Sequence, residues 1–317
     1  MKHLIAAADL KVDEIQKILA VAKIFSSYVG GKNAGEPIAL LQGKTVVNLF
    51  FENSTRTRTS FEIAIRRLGG GALNFSASNS SVQKGETLID TAKNIAAMGA
   101  HCWVVRHASA GSPSVLAKNT SVPVINAGDG FHEHPTQGLL DAYTIQEKLG
   151  KIAGKRIVIL GDIAHSRVAR SNIYILKKLG ASVAVCGPPT LLPPNPEVLG
   201  VDFAYRPEEL LPQADVVMAL RIQLERQNRH QLPSIAEYSK FWGLNRERAK
   251  LLKKDAIILH PGPVNRGVEL DPEVADSPTS VILDQVANGV LVRMAVLATV
   301  VNEEGLNQWL SQKGHRA

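Results

Sequence analysis

With 317 residues, 45% of them hydrophobic and 21% charged, the chain is long enough for two domains with full cores and too apolar to be disordered. A formal charge of +7 suits nucleic acid or small anionic substrates; Lys and Arg are scattered between acids instead of forming a stripe and only 5% of residues are aromatic, so stacking platforms are scarce, but the charge alone does not choose between the two. The N-terminal residues turn polar at Asp9 and Lys11 before a signal-type apolar core develops, and no apolar run approaches the roughly 20 residues of a membrane span, so a cytoplasmic protein without membrane contact is expected.

Ile15, Ile18, Leu19, Ala22 and Phe25 recur at helical spacing and predict a packing helix from Asp9, as N-cap, to Ser26. After Gly43 short apolar strands alternate with amphipathic helices: strand 45–51, helix 55–68, strand 72–76, helix 87–98, strand 101–106, helix 113–118, strand 122–126 and helix 135–149. The glycine-bracketed basic stretch Gly150 to Lys155 marks a domain boundary. Beyond it the alternation restarts with strand 156–161, helix 165–179 and strands 182–186, 214–219 and 256–260. The expected fold is α/β, with two doubly wound domains over residues 1–150 and 151–283, each a parallel sheet with helices on both faces. The apolar helix Asp284 to Val301 begins a C-terminal segment, 284–317, expected to pack back on the first domain. Cys102 and Cys186 lie inside apolar strands, where cysteine behaves as a small hydrophobe, and are expected to be free thiols.

The candidate site residues sit where strands end. Ser54-Thr55-Arg56-Thr57-Arg58 follows the strand ending at Phe51 and opens a helix closed by Gly69, Gly70 and Gly71. A helix start carries unpaired N–H groups and about half a positive charge, so arginines in its first turn oppose the dipole unless an anion binds there; a phosphate satisfies all of these groups together. Ser80-Ser81-Val82-Gln83-Lys84 is a polar loop with one cation, and Arg106-His107 ends the next strand. His132-Glu133-His134-Pro135-Thr136-Gln137 places Pro135 at a first helical position and His134 at its cap. The His-x-His spacing has no third ligand nearby, so a neutral polarising His134, acting with Gln137 on a carbonyl-containing ligand, is preferred to a metal site. Gly161-Asp162-Ile163-Ala164-His165-Ser166-Arg167 follows a strand but lacks the G-x-G-x-x-G of a dinucleotide site. Arg221, Gln223 and Arg226 follow another strand, and His260-Pro261-Gly262-Pro263 ends the last with a rigid turn whose carbonyls are open to an amine or amide.

Together and in this order, these motifs resemble the aspartate/ornithine carbamoyltransferase superfamily, and within it the aspartate-specific catalytic chains, over nearly the whole sequence. The resemblance implies transfer of the carbamoyl group of carbamoyl phosphate to L-aspartate, in pyrimidine biosynthesis, without a metal or cofactor. It assigns Ser54, Thr55, Arg56 and Thr57 to the phosphate, Arg106 to phosphate and carbonyl oxygen, and His134 to the carbonyl oxygen. Gln137 and the carbonyls of Gly262 and Pro263 go to the carbamoyl amide. Lys84, Arg167, Arg221 and Gln223 go to the aspartate carboxylates. It further implies a homotrimer in which Ser80, Ser81 and Lys84 come from a neighbouring chain, domain closure bridged by Glu52 and Arg226, and higher assemblies with regulatory chains or a dihydroorotase in some members. Two positions depart from part of the family: Val168 where some members carry a hydroxyl residue, and Gly262 where some carry Leu. The ornithine-specific enzymes carry a His-Cys-Leu-Pro segment where this chain has His260-Pro261-Gly262-Pro263, and the cations Lys84, Arg167 and Arg221 would repel an ornithinium side chain. A basic nucleic-acid-binding module is the alternative from another class.

Overall fold

A computed structural model of the chain describes residues 1–76, 86–223 and 234–315. Cα packing divides it into two compact units, Met1–Tyr143 with Ala287–Ala317, and Thr144–Val286.

The first unit opens with α1 (Val12–Val29), whose Ile15, Ile18, Leu19, Ala22 and Phe25 are buried. Its N-cap is Lys11, not Asp9: Asp9 lies in the preceding turn, and the helix start is fixed instead by Glu14, whose carboxylate accepts the Lys11 N–H at 3.0 Å. Then follow β1 (Thr45–Phe50), α2 (Thr55–Arg67), β2 (Gly71–Ser76), α3 (Leu88–Ala97), β3 (Cys102–His107), α4 (Ser112–Lys118), β4 (Val124–Asp129) and α5 (Pro135–Leu149). Gly69, with φ of 77°, makes the turn after α2, whereas Gly71 is already the first residue of β2.

The four strands are parallel in the order β2-β1-β3-β4. The chain therefore leaves β1 in one direction and returns at β3 to run in the other. Right-handed crossovers in opposite directions place helices on both faces and leave a switch point between the carboxyl ends of β1 and β3. Val47, Leu49, Trp103, Val105 and Val124 are buried together with Ala92 and Leu116 of the covering helices.

The second unit contains β5 (Arg156–Leu160), α6 (Arg167–Lys178), β6 (Ser182–Cys186), β7 (Asp202–Ala204), β8 (Val216–Ala219), α7 (Ile235–Trp242), α8 (Arg246–Ala249), β9 (Ile257–Leu259) and α9 (Pro272–Ala275). Its five parallel strands run β7-β6-β5-β8-β9, with the switch point between β5 and β8. The edge strand β7 has no counterpart among the predicted elements. It is three residues long, with Asp202 and Phe203 exposed, and offers neither a buried run nor an alternation.

The long helix α10 (Ile282–Val301) and the terminal α11 (Glu303–Gln312) complete the chain. The divisions between units fall inside α5 and α10, the first ahead of the expected boundary at Gly150. By length and composition α10 is the one described helix that could cross a membrane, but 72% of its apolar window is buried, as in the core helix of a globular domain.

Candidate functional site

In the first unit the candidate residues gather at the switch point. Ser54 is the N-cap of α2, yet its hydroxyl makes no capping bond, and the first turn holds no acid but carries Arg56 and Arg58. Ordinary helix starts are the reverse, with a side-chain cap and acidic residues. Thr57 is buried, whereas Thr55 and Arg56 are exposed.

Arg106 stands opposite Phe50 in the β1·β3 register, and its carbonyl accepts the Phe51 N–H at 2.8 Å, so it borders the β1–α2 loop. Its guanidinium donates from Nε to Glu52 at 3.1 Å and from Nη1 to the Ala127 carbonyl at 3.1 Å. Glu52, expected in an inter-domain bridge, thus pairs with Arg106 inside the first unit.

The β4–α5 loop is held by a buried polar set. Asp129 accepts from the Asn126 amide, Gly111 N–H and Glu133 N–H at 2.8, 2.7 and 3.2 Å. Glu133 accepts from the backbone of Ala7 and Ala8 at 2.6 and 3.2 Å. The N-terminal segment pairs Leu4 with Ile125 along the edge of β4, and the Asn126 amide donates to the Ile5 carbonyl at 2.8 Å. This loop delivers His134, 3% exposed, whose carbonyl accepts from Gln137 N–H at 2.9 Å to begin α5 at Pro135. The two histidines of the His-x-His sequence have different neighbours: His132 Nδ1 lies 3.0 Å from Asp129, and His134 Nδ1 lies 3.4 Å from the Thr136 hydroxyl. Among the described residues no group of three His, Cys, Asp or Glu is placed to hold a metal ion. Gln137 Nε2 donates to Asp141 at 3.0 Å, one turn along α5.

The second unit repeats the arrangement. Ser166 caps α6 by accepting the Ala169 N–H at 3.1 Å, so the helix starts at Arg167, later than predicted, and its first side chain is buried at 4% exposure. Asp162 bonds both the backbone N–H and the ring of His165 at 3.1 and 2.9 Å, shaping the β5–α6 loop. Leu160 and Ala219 are register partners, which sets the β8 exit, with Arg221 and Gln223, beside that loop.

Buried Ile222 between them is pinned by the second unit's own residues. Its carbonyl accepts from the Asn265 amide at 2.9 Å, and its N–H reaches Glu269 at 3.5 Å. Glu269 also accepts from Asn265 N–H at 2.6 Å and meets His260 Nε2 at 3.1 Å, while His260 Nδ1 accepts the Gly262 N–H at 2.8 Å. His260 is therefore the Nε2–H tautomer, and one buried carboxylate ties the Gly262-Pro263 turn to the 221–223 segment. Val168 is half-buried; its carbonyl accepts from Asn172 at 3.0 Å. Ser80, Ser81, Lys84 and Arg226 lie outside the described residues.

The sequence assigns no role to the supporting acids Asp129, Glu133, Asp141 and Glu269, although Glu133 lies within and Asp129 beside the His132 to Gln137 motif. Only Asp141 carried a local signal there, its i,i+4 spacing from Gln137 on a predicted helix.

Two family models match in succession: the carbamoyl-phosphate-binding domain of aspartate/ornithine carbamoyltransferases over residues 2–147, and their aspartate/ornithine-binding domain over residues 153–300. The chain belongs to the aspartate/ornithine carbamoyltransferase family. It is 53% identical to the aspartate carbamoyltransferase catalytic subunit of Ruminiclostridium cellulolyticum over 307 residues, 97% of each chain. With that of Acetivibrio thermocellus it shares 55% over 296 residues, 93% and 94% of the two. Among solved structures it resembles the aspartate transcarbamoylase of Trypanosoma cruzi in complex with N-(phosphonacetyl)-L-aspartic acid, with a TM-score of 0.86 and 31% identity over 95% of this chain and 96% of that one. The ornithine carbamoyltransferase of Pyrococcus furiosus gives a TM-score of 0.83 and 34% identity, covering 95% and 97%. Backbone similarity thus places the carbamoyltransferase in the family without choosing its amine substrate.

Proposed function

We propose that the chain is an aspartate carbamoyltransferase that joins the carbamoyl group of carbamoyl phosphate to the amine of L-aspartate, releasing phosphate and forming N-carbamoyl-L-aspartate for pyrimidine synthesis. The observation that carries the phosphate half is the start of α2, an uncapped, acid-free helix terminus with two arginines, bordered by Arg106 at the switch point. Ser54, Thr55, Arg56 and Thr57 hold the phosphate there. Thr55, Arg106 and His134 surround the carbonyl oxygen. The reading requires His134 Nε2–H as the donor, the tautomer in which the Thr136 hydroxyl, 3.4 Å from Nδ1, donates to that nitrogen.

The amine nitrogen attacks the carbamoyl carbon, the carbonyl electrons move onto oxygen, and the bond from carbon to the phosphate oxygen breaks as they return. The departing phosphate takes the proton lost by nitrogen, so no metal, cofactor or covalent intermediate is required. Each donor to the developing oxyanion is typically worth about 3 to 4 kcal/mol. Gln137 and the carbonyls of Gly262 and Pro263 read the carbamoyl amide.

Aspartate is favoured over ornithine by cations: Arg167 and Arg221 at one strand edge of the second unit, with Gln223 beside them and Lys84 supplied by a neighbouring chain. Leu73 on edge strand β2 and Met98 beyond α3 are 57% and 83% exposed, apolar surface that suits coverage by another copy in a cytoplasmic homotrimer. Titration with N-(phosphonacetyl)-L-aspartate tests the reading. It predicts tight inhibition competitive with carbamoyl phosphate; an enzyme inhibited by the ornithine counterpart alone would overturn the aspartate assignment.

A further inference from the structure

Gln137 Nε2 lies 3.0 Å from Oδ1 of Asp141, which is fully buried. Arg293 of α10, 4% exposed, is near enough to Asp141 for the two charges to attract, and its guanidinium lies 5.2 Å over the Phe61 ring of α2. Burial lowers the Arg293 pKa to about 10, so it remains a cation at neutral pH. The fold makes room for it: a Cβ on Gly289 would stand 2.5 Å from an Arg293 nitrogen and 3.3 Å from Leu140.

An ionised carboxylate only accepts hydrogen bonds. The Gln137 amide must therefore turn its nitrogen to Asp141 and its oxygen the other way. Resting on the assignment of Gln137 to the carbamoyl amide, we infer that Asp141, backed by Arg293, is a positioning residue that fixes the Gln137 oxygen toward the acyl group and makes the site demand an N–H there. A methyl group has nearly the size of an amide NH2 and would fit the same space, but it leaves that buried oxygen unpaired. Sites built around a substrate N–H or O–H reject analogues lacking it far more strongly than size alone allows. The pair thus selects carbamoyl phosphate over acetyl phosphate.

The test measures dissociation constants of inorganic phosphate, acetyl phosphate and carbamoyl phosphate for the unaltered chain, Asp141→Asn, and the double variant Asp141→Leu with Arg293→Met. The double variant replaces both buried charges with apolar groups of similar volume, a change often neutral for folding. In Asp141→Asn the Gln137 amide can take either orientation, which weakens carbamoyl phosphate about twofold by population alone. In the double variant carbamoyl phosphate weakens about tenfold, the loss of one buried hydrogen bond, while phosphate and acetyl phosphate stay within about twofold. Equal weakening of all three ligands in a folded variant, or an unchanged ratio of carbamoyl to acetyl phosphate, overturns the inference. Failure of the unaltered chain to bind carbamoyl phosphate would overturn the functional reading itself, and the inference with it.

Discussion

Replacement of Arg56 by Gln separates the chemical role of the α2 terminus from its structural one. Arg56 is exposed in the first turn of a helix whose N-cap hydroxyl makes no capping bond and whose first turn holds no acid. Its positive charge opposes a dipole equivalent to about +0.5 at that end, an unfavourable contact typically worth about 0.3 to 1 kcal/mol. Removing the charge should therefore leave the unfolding midpoint within about 2 °C of the unaltered chain. Activity should behave differently. A unit charge about 4 Å from an anion is worth roughly 4 kcal/mol at an effective dielectric of 20, and the departing phosphate carries the charge that grows in the transition state. Loss of that interaction predicts a fall in kcat/KM of roughly a thousandfold. Initial rates of carbamoyl-aspartate formation, read beside a thermal melt, give both quantities. A rate within about threefold of the unaltered chain at the same melting point would refute the phosphate assignment.

Glu269→Gln should keep acceptance from His260 and Asn265 through its oxygen while setting an NH2 against the Ile222 N–H, raising the KM for aspartate several-fold with carbamoyl phosphate affinity unchanged; steady-state kinetics with either substrate varied would show the split. A Lys84→Ala chain and an Arg56→Ala chain, each inactive, should regain partial activity after dissociation and joint reassembly, and no recovery despite mixing confirmed by mass would contradict shared sites. Burial alone would raise the Asp215 carboxyl, but the Arg156 N–H and Lys253, at 2.7 and 2.8 Å, outweigh it and hold the group below its ordinary value. Because the folded pKa is the lower one, Asp215 stabilises the fold above the unfolded pKa of about 3.9 and loses that contribution as pH falls through the folded value; the gap in urea midpoint between the unaltered chain and Asp215→Asn should be full at neutral pH and close below about pH 4. Burial pushes the Cys102 thiol up and the Cys186 thiol up to about 12, so a thiol reagent at pH 8 should label neither in the folded chain and both in guanidinium; rapid labelling of the native protein would contradict their burial.

The sequence was most legible where local chemistry and position coincide. The apolar run into Phe50 followed at once by Ser54 to Arg58 marks both a strand end and a helix start that carries arginines, and the parallel order of β1 and β3 brings Arg106 to it. The alternation of elements predicts the parallel sheets, whereas the switch points come from the strand orders. What the sequence hid was long-range support. Glu269 reaches Ile222 across 47 positions and Glu133 reaches Ala7 across 126, and nothing in the spacing of those acids marks them as anchors. Local rules also misplaced some ends. Glu14 fixes the start of α1 at Lys11, and Ser166 defers α6 to Arg167, so that the guanidinium sits at a first helical position. The terminal α11 did carry a signal, Asn302 followed by Glu303 and Glu304, and the Asn302 side chain accepts the Gly305 N–H at 3.1 Å.

The most direct test is to supply carbamoyl phosphate with L-aspartate or with L-ornithine and measure the carbamoylated product of each. Turnover with aspartate and none with ornithine is the predicted result, engaging the proposed phosphate-binding residues of the first unit and the cations Arg167 and Arg221 of the second. Turnover with ornithine alone would keep the α2 terminus as the phosphate site and contradict Lys84, Arg167, Arg221 and Gln223 as readers of a dicarboxylic acid.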